Sequence, residues 1–182
     1  MNVSQLEQLH IGCGQVYFDG WMNIDLESPK ADLHHDLRNP LPFSDVSVRY
    51  IYNEHFLEHL DLPSGIAFLK ECYRVLRPGG ILRIAMPDLQ FVIDRYQNNW
   101  QNQDWLKWPE YRFIESRVQM INIAFRSWGH LYLYNREELQ LRLKQCGFTE
   151  VTFHEKGKSG VDLLQNRETR PDSFLIAEAS HE

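Results

Sequence analysis

The chain is poor in the features that mark several large protein classes. It has 3 cysteines in 182 residues, Cys13, Cys72 and Cys146. They are odd in number, far apart and in no CxxC pair, which excludes a disulfide framework and fits free thiols in a reducing compartment. There is no basic surplus: Lys+Arg 19 against Asp+Glu 25 gives a net charge of -6. That is the wrong sign for a protein whose affinity comes from neutralising phosphates, and it argues against nucleic acid as a partner. No run approaches the roughly 18 apolar residues that a membrane span needs. The stretch Met1–Gln5 has neither the basic nor the apolar region of an export signal. A soluble, cytoplasmic chain with no membrane partner is expected. Internal repeats and low-complexity tails are also missing.

What is present is globular, with 43% hydrophobic and 13% aromatic residues. The length suits one domain over residues 1–182, and a folded chain of this size buries about 70% of its extended surface without a metal or disulfide staple. Short apolar runs alternate with amphipathic stretches, the pattern of an α/β fold around a mainly parallel sheet of about seven strands flanked by helices. Strands are expected at Gln8–Ile11, Met22–Asp25, Asp32–Leu37, Val48–Asn53, Ile81–Met86, Val151–His154 and Phe174–Ala179. Leu62, Ile66, Leu69, Tyr73 and Leu76 recur at helical spacing after a capping Asp61, and Arg77-Pro78-Gly79-Gly80 reads as the stop. A helix follows from Leu89 to about Tyr96. Another opens with a capping box at Asn135-Arg136-Glu137-Glu138, carries Leu139, Leu143 and Cys146 on one face, and stops at Gly147. Between them, residues 97–130 break the pattern with four of the five tryptophans and an Asn/Gln-rich run. We read this stretch as an insertion over the active face.

Gly12-Cys13-Gly14 ends the first strand, where a sharp turn must let the backbone approach a ligand. Asp25 ends the second strand, where a carboxylate can accept hydrogen bonds from both hydroxyls of a ribose. Asp36-Leu37 follows the third strand, where a carboxylate and an N–H can meet an adenine edge with Leu37 against the ring. Each aspartate alone reads as a turn or cap residue. Together, at successive strand ends, they point to one bound nucleoside. Only 11 positions separate Gly14 from Asp25, against about 20 in nicotinamide dehydrogenases, so a dinucleotide is disfavoured.

These motifs, with Gly20-Trp21-Met22-Asn23-Ile24-Asp25, Pro40-Leu41-Pro42-Phe43, His55-Phe56-Leu57-Glu58-His59-Leu60, Val75-Leu76-Arg77-Pro78-Gly79-Gly80 and Gly147-Phe148, resemble the class I S-adenosylmethionine (SAM) dependent methyltransferases. The likeness is to a small bacterial set of them and extends over nearly the whole chain. It implies a Rossmann-like fold, SAM as cofactor, and a cofactor-contacting set of His10, Gly12, Cys13, Gly14, Asp25, Asp36, Leu37 and Asn53. Two positions depart from the family pattern: His10 stands where an acidic residue is usual, and there is no third glycine near Val16.

His55, Glu58 and His59 follow the fourth strand, at the sheet edge where the chemistry of this fold sits. One reading makes Glu58 and His59 local capping and packing groups. Another makes His55, Glu58 and His59, with His130 as a fourth ligand, a divalent-metal site like that of metal-dependent O-methyltransferases. A third makes a histidine the general base for a hydroxyl acceptor. The resemblance ranks His130 first for that role and His55 second, with His59 as a further candidate. The same residues also match H-x-x-E-H, a zinc-hydrolase signature, but Pro63 and Gly65 leave too little helix for it. Residues 95–130 carry five basic against three acidic side chains. A mildly basic, tryptophan-rich insertion suits a small, sugar-like or otherwise hydroxylated acceptor. Core packing or an oligomer contact would also occupy those tryptophans. The expectation is therefore a SAM-dependent O-methyltransferase, monomeric or homodimeric, with a non-catalytic SAM-binding scaffold as the alternative outside enzymology.

Overall fold

The computed structural model describes residues 7–181; Met1–Gln5, read above for an export signal, lies outside them. Strands β1 (Gln8–Ile11), β2 (Met22–Asp25), β3 (Leu33–His34), β4 (Val48–Glu54), β5 (Leu76–Met86), β6 (Glu150–Phe153) and β7 (Leu175–Ser180) form one sheet ordered β3-β2-β1-β4-β5-β7-β6. The first five pair in parallel, and β7 pairs antiparallel with both β5 and β6. The mainly parallel, Rossmann-like sheet is thus as the sequence pattern implied. The chain leaves β1 on one side through β2 and β3, then returns on its other side as β4. That reversal opens a crevice beyond the carboxyl ends of β1 and β4.

Helices α1 (Leu62–Val75), α2 (Leu89–Gln97), α3 (Arg117–Arg126) and α4 (Arg136–Gln145) complete the regular elements. The Asp61 side chain accepts from the Ser64 N–H at 2.9 Å, and Pro63 fills the first turn of α1. No helix among the described residues is long and apolar enough to cross a membrane.

Several expected boundaries move, each for a local reason. β5 starts at Leu76, which pairs with Val48 across a register shift, so Arg77–Gly80 lies inside a strand as well as ending a helix. β3 is two residues long, not Asp32–Leu37, because the Asp32 carboxylate turns to Asn23 and Asp36 folds onto Arg38. Asn135 caps α4, but Glu138 bonds Tyr132 and Arg142 and does not reach back to close the expected box. A full capping box stands instead at Ser116 and Gln119, opening a helix inside the segment read as irregular.

The two sheet faces differ in chemistry. Paired residues Leu9 and Ile51, with Ile11, Leu82 and Ile84, join Phe68, Leu69 and Leu143 in one apolar core under α1 and α4. Their alternates point the other way. That face carries Tyr50 and Tyr52 against Phe18 and Trp21 from loops and Leu164 from a short 3-10 turn. It also buries charge. Arg83, with no exposed side-chain surface, meets Glu168 at 2.6 Å and Glu178 at 2.7 Å. Glu54 accepts from the Thr169 N–H and hydroxyl, the Arg170 N–H and the Ser173 hydroxyl at 2.6–3.0 Å. These bonds fasten residues 155–174 across the sheet as a polar strap.

Burial pushes the Glu54 pKa upward, but the Ser173, Thr169 and Arg170 donors outweigh it and hold the carboxyl below its ordinary 4.5. A depressed folded pKa contributes stability that is present above the unfolded value and is lost as pH falls through the folded one. Glu54→Ala is therefore expected to cost about 3 kcal/mol at pH 7, by stranding buried donors. In urea unfolding, the gap between the natural chain and Glu54→Gln should be largest above pH 5 and should narrow steadily in acid.

Candidate functional site

The turn after β1 is built by backbone. The Gly12 and Cys13 N–H groups both donate to the Ile24 carbonyl, at 2.8 and 3.1 Å, which ties the loop to β2. Gly12 has φ +66°, and a Cβ there would lie 2.9 Å from Phe56 Cβ, so only glycine lets the loop pass the segment after β4. Gly14 has φ +51° and open space where its Cβ would project. This is a bare stretch of backbone facing the crevice. The Cys13 side chain is buried, and burial with the nearby Asp25 charge pushes its thiol up, so the residue offers its main chain alone.

Asp25 closes the same loop from the far side. Its carboxylate accepts from the Gly14 N–H at 2.9 Å and from the Glu27 and Ser28 N–H groups at 3.0 Å each. Burial raises its pKa, and these three donors more than reverse that, keeping the group ionised below its ordinary value. A carboxylate has about four acceptor positions, so one is left for an incoming hydroxyl. Ser28 seals the turn with a hydroxyl bond to the Gly14 carbonyl.

The adjoining residues divide sharply. Asp36 forms a forked ion pair with Arg38, which pulls its pKa down to about 2. Leu37 is 6% exposed and sits in the main apolar core. Asn53, on the same face as Ile11, is fully buried, and neither its Oδ1 nor its Nδ2 has a hydrogen-bond partner. Such a group is costly unless a ligand completes it. His10 has a different job from ligand contact. It is 2% exposed, stacks on Phe18 at 4.1 Å and bonds Asn23 at 3.0 Å, and burial lowers its pKa to about 4. An acidic side chain would not survive against that ring, which accounts for the departure from the family pattern.

Asn23, which no local rule singled out, organises this region. Its amide donates to the Phe18 and Trp21 carbonyls and to Asp32, and its oxygen accepts from the Phe18 N–H. The only sequence signal was its place in Gly20–Asp25, a polar residue inside a buried strand.

Beyond β4 the chain turns through His55, held at φ +52° in the left-handed region. Its Nδ1 lies 3.4 Å from Glu58 Oε1 and its Nε2 lies 3.5 Å from Asp172 Oδ1. Burial dominates and lowers the His55 pKa to about 4, so the ring is neutral. Asp172 was missed in the sequence because only the strap brings it here. Glu58 is completely buried, neither carboxylate oxygen has a hydrogen-bond donor, and burial raises its pKa to about 8. Its carbonyl accepts from the Leu131 and Tyr132 N–H groups, at 2.8 and 3.2 Å, pinning the end of the 97–130 segment to the sheet edge. His130 comes down there, its Nδ1 2.9 Å from the Ala124 carbonyl and its ring 5.2 Å from that of His59. Burial lowers the His59 pKa. Ligand atoms of Glu58, His59 and His130 all lie within 4.8 Å of one another; His55 is outside that trio. Leu57–His59 is a single 3-10 turn, so the H-x-x-E-H spacing never forms the helix that a zinc hydrolase needs.

The segment's tryptophans form a small aromatic knot: Trp105, Tyr111 and Trp128 meet edge to face with centroids 5.3–5.7 Å apart. Around it Trp108, Phe113 and Phe125 are left exposed.

Residues 9–84 match the family described as "Methyltransferase domain". A probable SAM-dependent methyltransferase of Mycolicibacterium smegmatis is 38% identical over 60 residues, a stretch covering 33% of this chain and 23% of that protein. The match therefore spans under a quarter of that curated relative's length. A SAM-dependent methyltransferase from Archaeoglobus fulgidus superposes with a TM-score of 0.60 at 16% identity, covering 98% of this chain and 87% of that one. A possible histamine N-methyltransferase from Thermotoga maritima gives 0.57 at 18% identity, with 97% and 82% covered. At these identities the two structures share the fold. The methyltransferase domain matched over residues 9–84 and the shared topology agree with the glycine turn and Asp25.

Proposed function

We propose that this protein transfers a methyl group from SAM to a hydroxyl of a small, polar, ring-bearing acceptor. The observation that carries the reading is the unsatisfied crevice between β1 and β4. There the bare Gly14 backbone, the remaining acceptor position of Asp25 and the orphaned Asn53 amide face one another's strand ends. These residues fit the cofactor: Asp25 can take a ribose hydroxyl, and Asn53 offers both a donor and an acceptor to polar groups beside Gly12. When bound, SAM supplies a methyl group on a positively charged sulfonium.

The residues of the chain supply the rest. Holding an acceptor oxygen in line contributes roughly 7 to 11 kcal/mol in favourable cases, so few side chains need to react. The aromatic knot of the 97–130 segment acts as a lid that stacks on the acceptor and excludes water, and its four basic against three acidic side chains favour a polar or weakly anionic partner. His55 is the base we assign. It is neutral, stands at the sheet edge, and has the Asp172 carboxylate 3.5 Å from Nε2 to stabilise the ring once protonated. His130 is less suited, because it is buried and its ring lies against His59.

Two measurements test this. Calorimetric titration of SAM should show binding that weakens at least about tenfold in Asp25→Asn, the loss of one or two hydrogen bonds to a charged group; unchanged affinity would remove Asp25 from the site. His55→Asn keeps a residue that tolerates the left-handed backbone. It should lower kcat on a panel of hydroxylated acceptors by about 10²–10⁴ while leaving SAM affinity intact. Transfer to amine or carbon acceptors alone would refute the hydroxyl assignment.

A further inference from the structure

We infer that Glu58, His59 and His130 form a divalent-metal site that locks the end of the 97–130 segment to the sheet edge. The three ligand atoms converge within 4.8 Å. Metal–ligand bonds of about 2.1 Å place tetrahedral ligands about 3.4 Å apart, so the trio has little over 1 Å to close. Two further observations point to a cation. The Glu58 carboxyl is completely buried and neither oxygen has a hydrogen-bond partner, so both stand open to a cation. His55 Nδ1 lies 3.4 Å from Glu58 Oε1 but outside the convergent trio. His130 is oriented as a ligand is: Nδ1 lies 2.9 Å from the Ala124 carbonyl, and that bond leaves Nε2 with the lone pair.

The ligand chemistry, two imidazoles and one carboxylate, suits Zn²⁺ or a similar first-row divalent ion and leaves a fourth position for water or another small oxygen ligand. The ligands come from two places in the chain. Glu58 and His59 sit on the turn before α1, whereas His130 ends the segment whose next two N–H groups bond the Glu58 carbonyl. Metal binding would therefore fasten by side chains what the main chain already holds. The site stands independently of the acceptor's identity and of methyl transfer itself.

The test uses the full chain after chelator treatment, with Co²⁺ as the spectroscopic probe and Zn²⁺ as its competitor. One equivalent of Co²⁺ should bind with the intense visible absorption of a tetrahedral site. Its affinity should fall at least about tenfold in both Glu58→Gln and His130→Asn, since removing a ligand costs no less than disturbing an outer partner. Melting of the metal-free variants shows that each still folds, and His34→Ala on the surface should bind as the natural chain does. Hydrogen exchange over residues 120–132 should slow on metal addition. Absence of binding, affinity unchanged from the natural chain in either ligand variant, or unchanged exchange would each overturn the proposal. SAM titration into the same metal-free sample reports on the methyl-transfer reading separately.

Discussion

The requirement that buried charge be answered shapes this molecule more than any single contact. One face of the sheet is covered by α1 and α4 and needs only apolar packing. The other bears Glu54 and Arg83 beneath the strap. Both are buried, and each must find partners or be driven out of its ionised state. The strap from 155 to 174 is the answer to both, with Thr169, Arg170 and Ser173 turned to Glu54 and Glu168 turned to Arg83. Its course then delivers Asp172 to His55, so a stability device on the far face also completes the electrostatics of the candidate site.

Among the buried groups left without partners, Asn53 and Glu58 are the two that bear on the candidate site. Asn53 faces the glycine turn with a neutral amide, which suits a polar organic ligand. Glu58 lies under the returning lid with a carboxyl, which suits a cation. Separate chemistry at each place explains why the H-E-H cluster resisted a single role when read along the chain. His55 meets Asp172, while His59 and His130 converge with Glu58.

The sheet was legible because its strands obey strong local rules: β-branched and apolar runs bounded by glycine, proline and aspartate. Gly12, Gly14 and Asp25 were legible for a related reason, since a sharp turn and a strand-end carboxylate leave marks in consecutive residues. Expectations fell short where a side chain chose between local and distant partners. Asp32 left its strand for Asn23, Glu138 left its cap for Arg142, and His10 turned to Phe18. None of those choices has a period or a spacing to betray it.

By itself, then, the sequence determined the order of elements, the glycine turn, Asp25 and the likeness to a methyltransferase domain, all of which rest on neighbours within a few residues or on a pattern repeated along the chain. Tertiary structure alone decided which polar groups are answered: Glu54 by the strap, Arg83 by two glutamates, His55 by Asp172, and Asn53 and Glu58 by no hydrogen bond among the described residues. Burial and electrostatic energy depend on three-dimensional distance, and residues that meet at 3 Å here are separated by more than a hundred positions of chain.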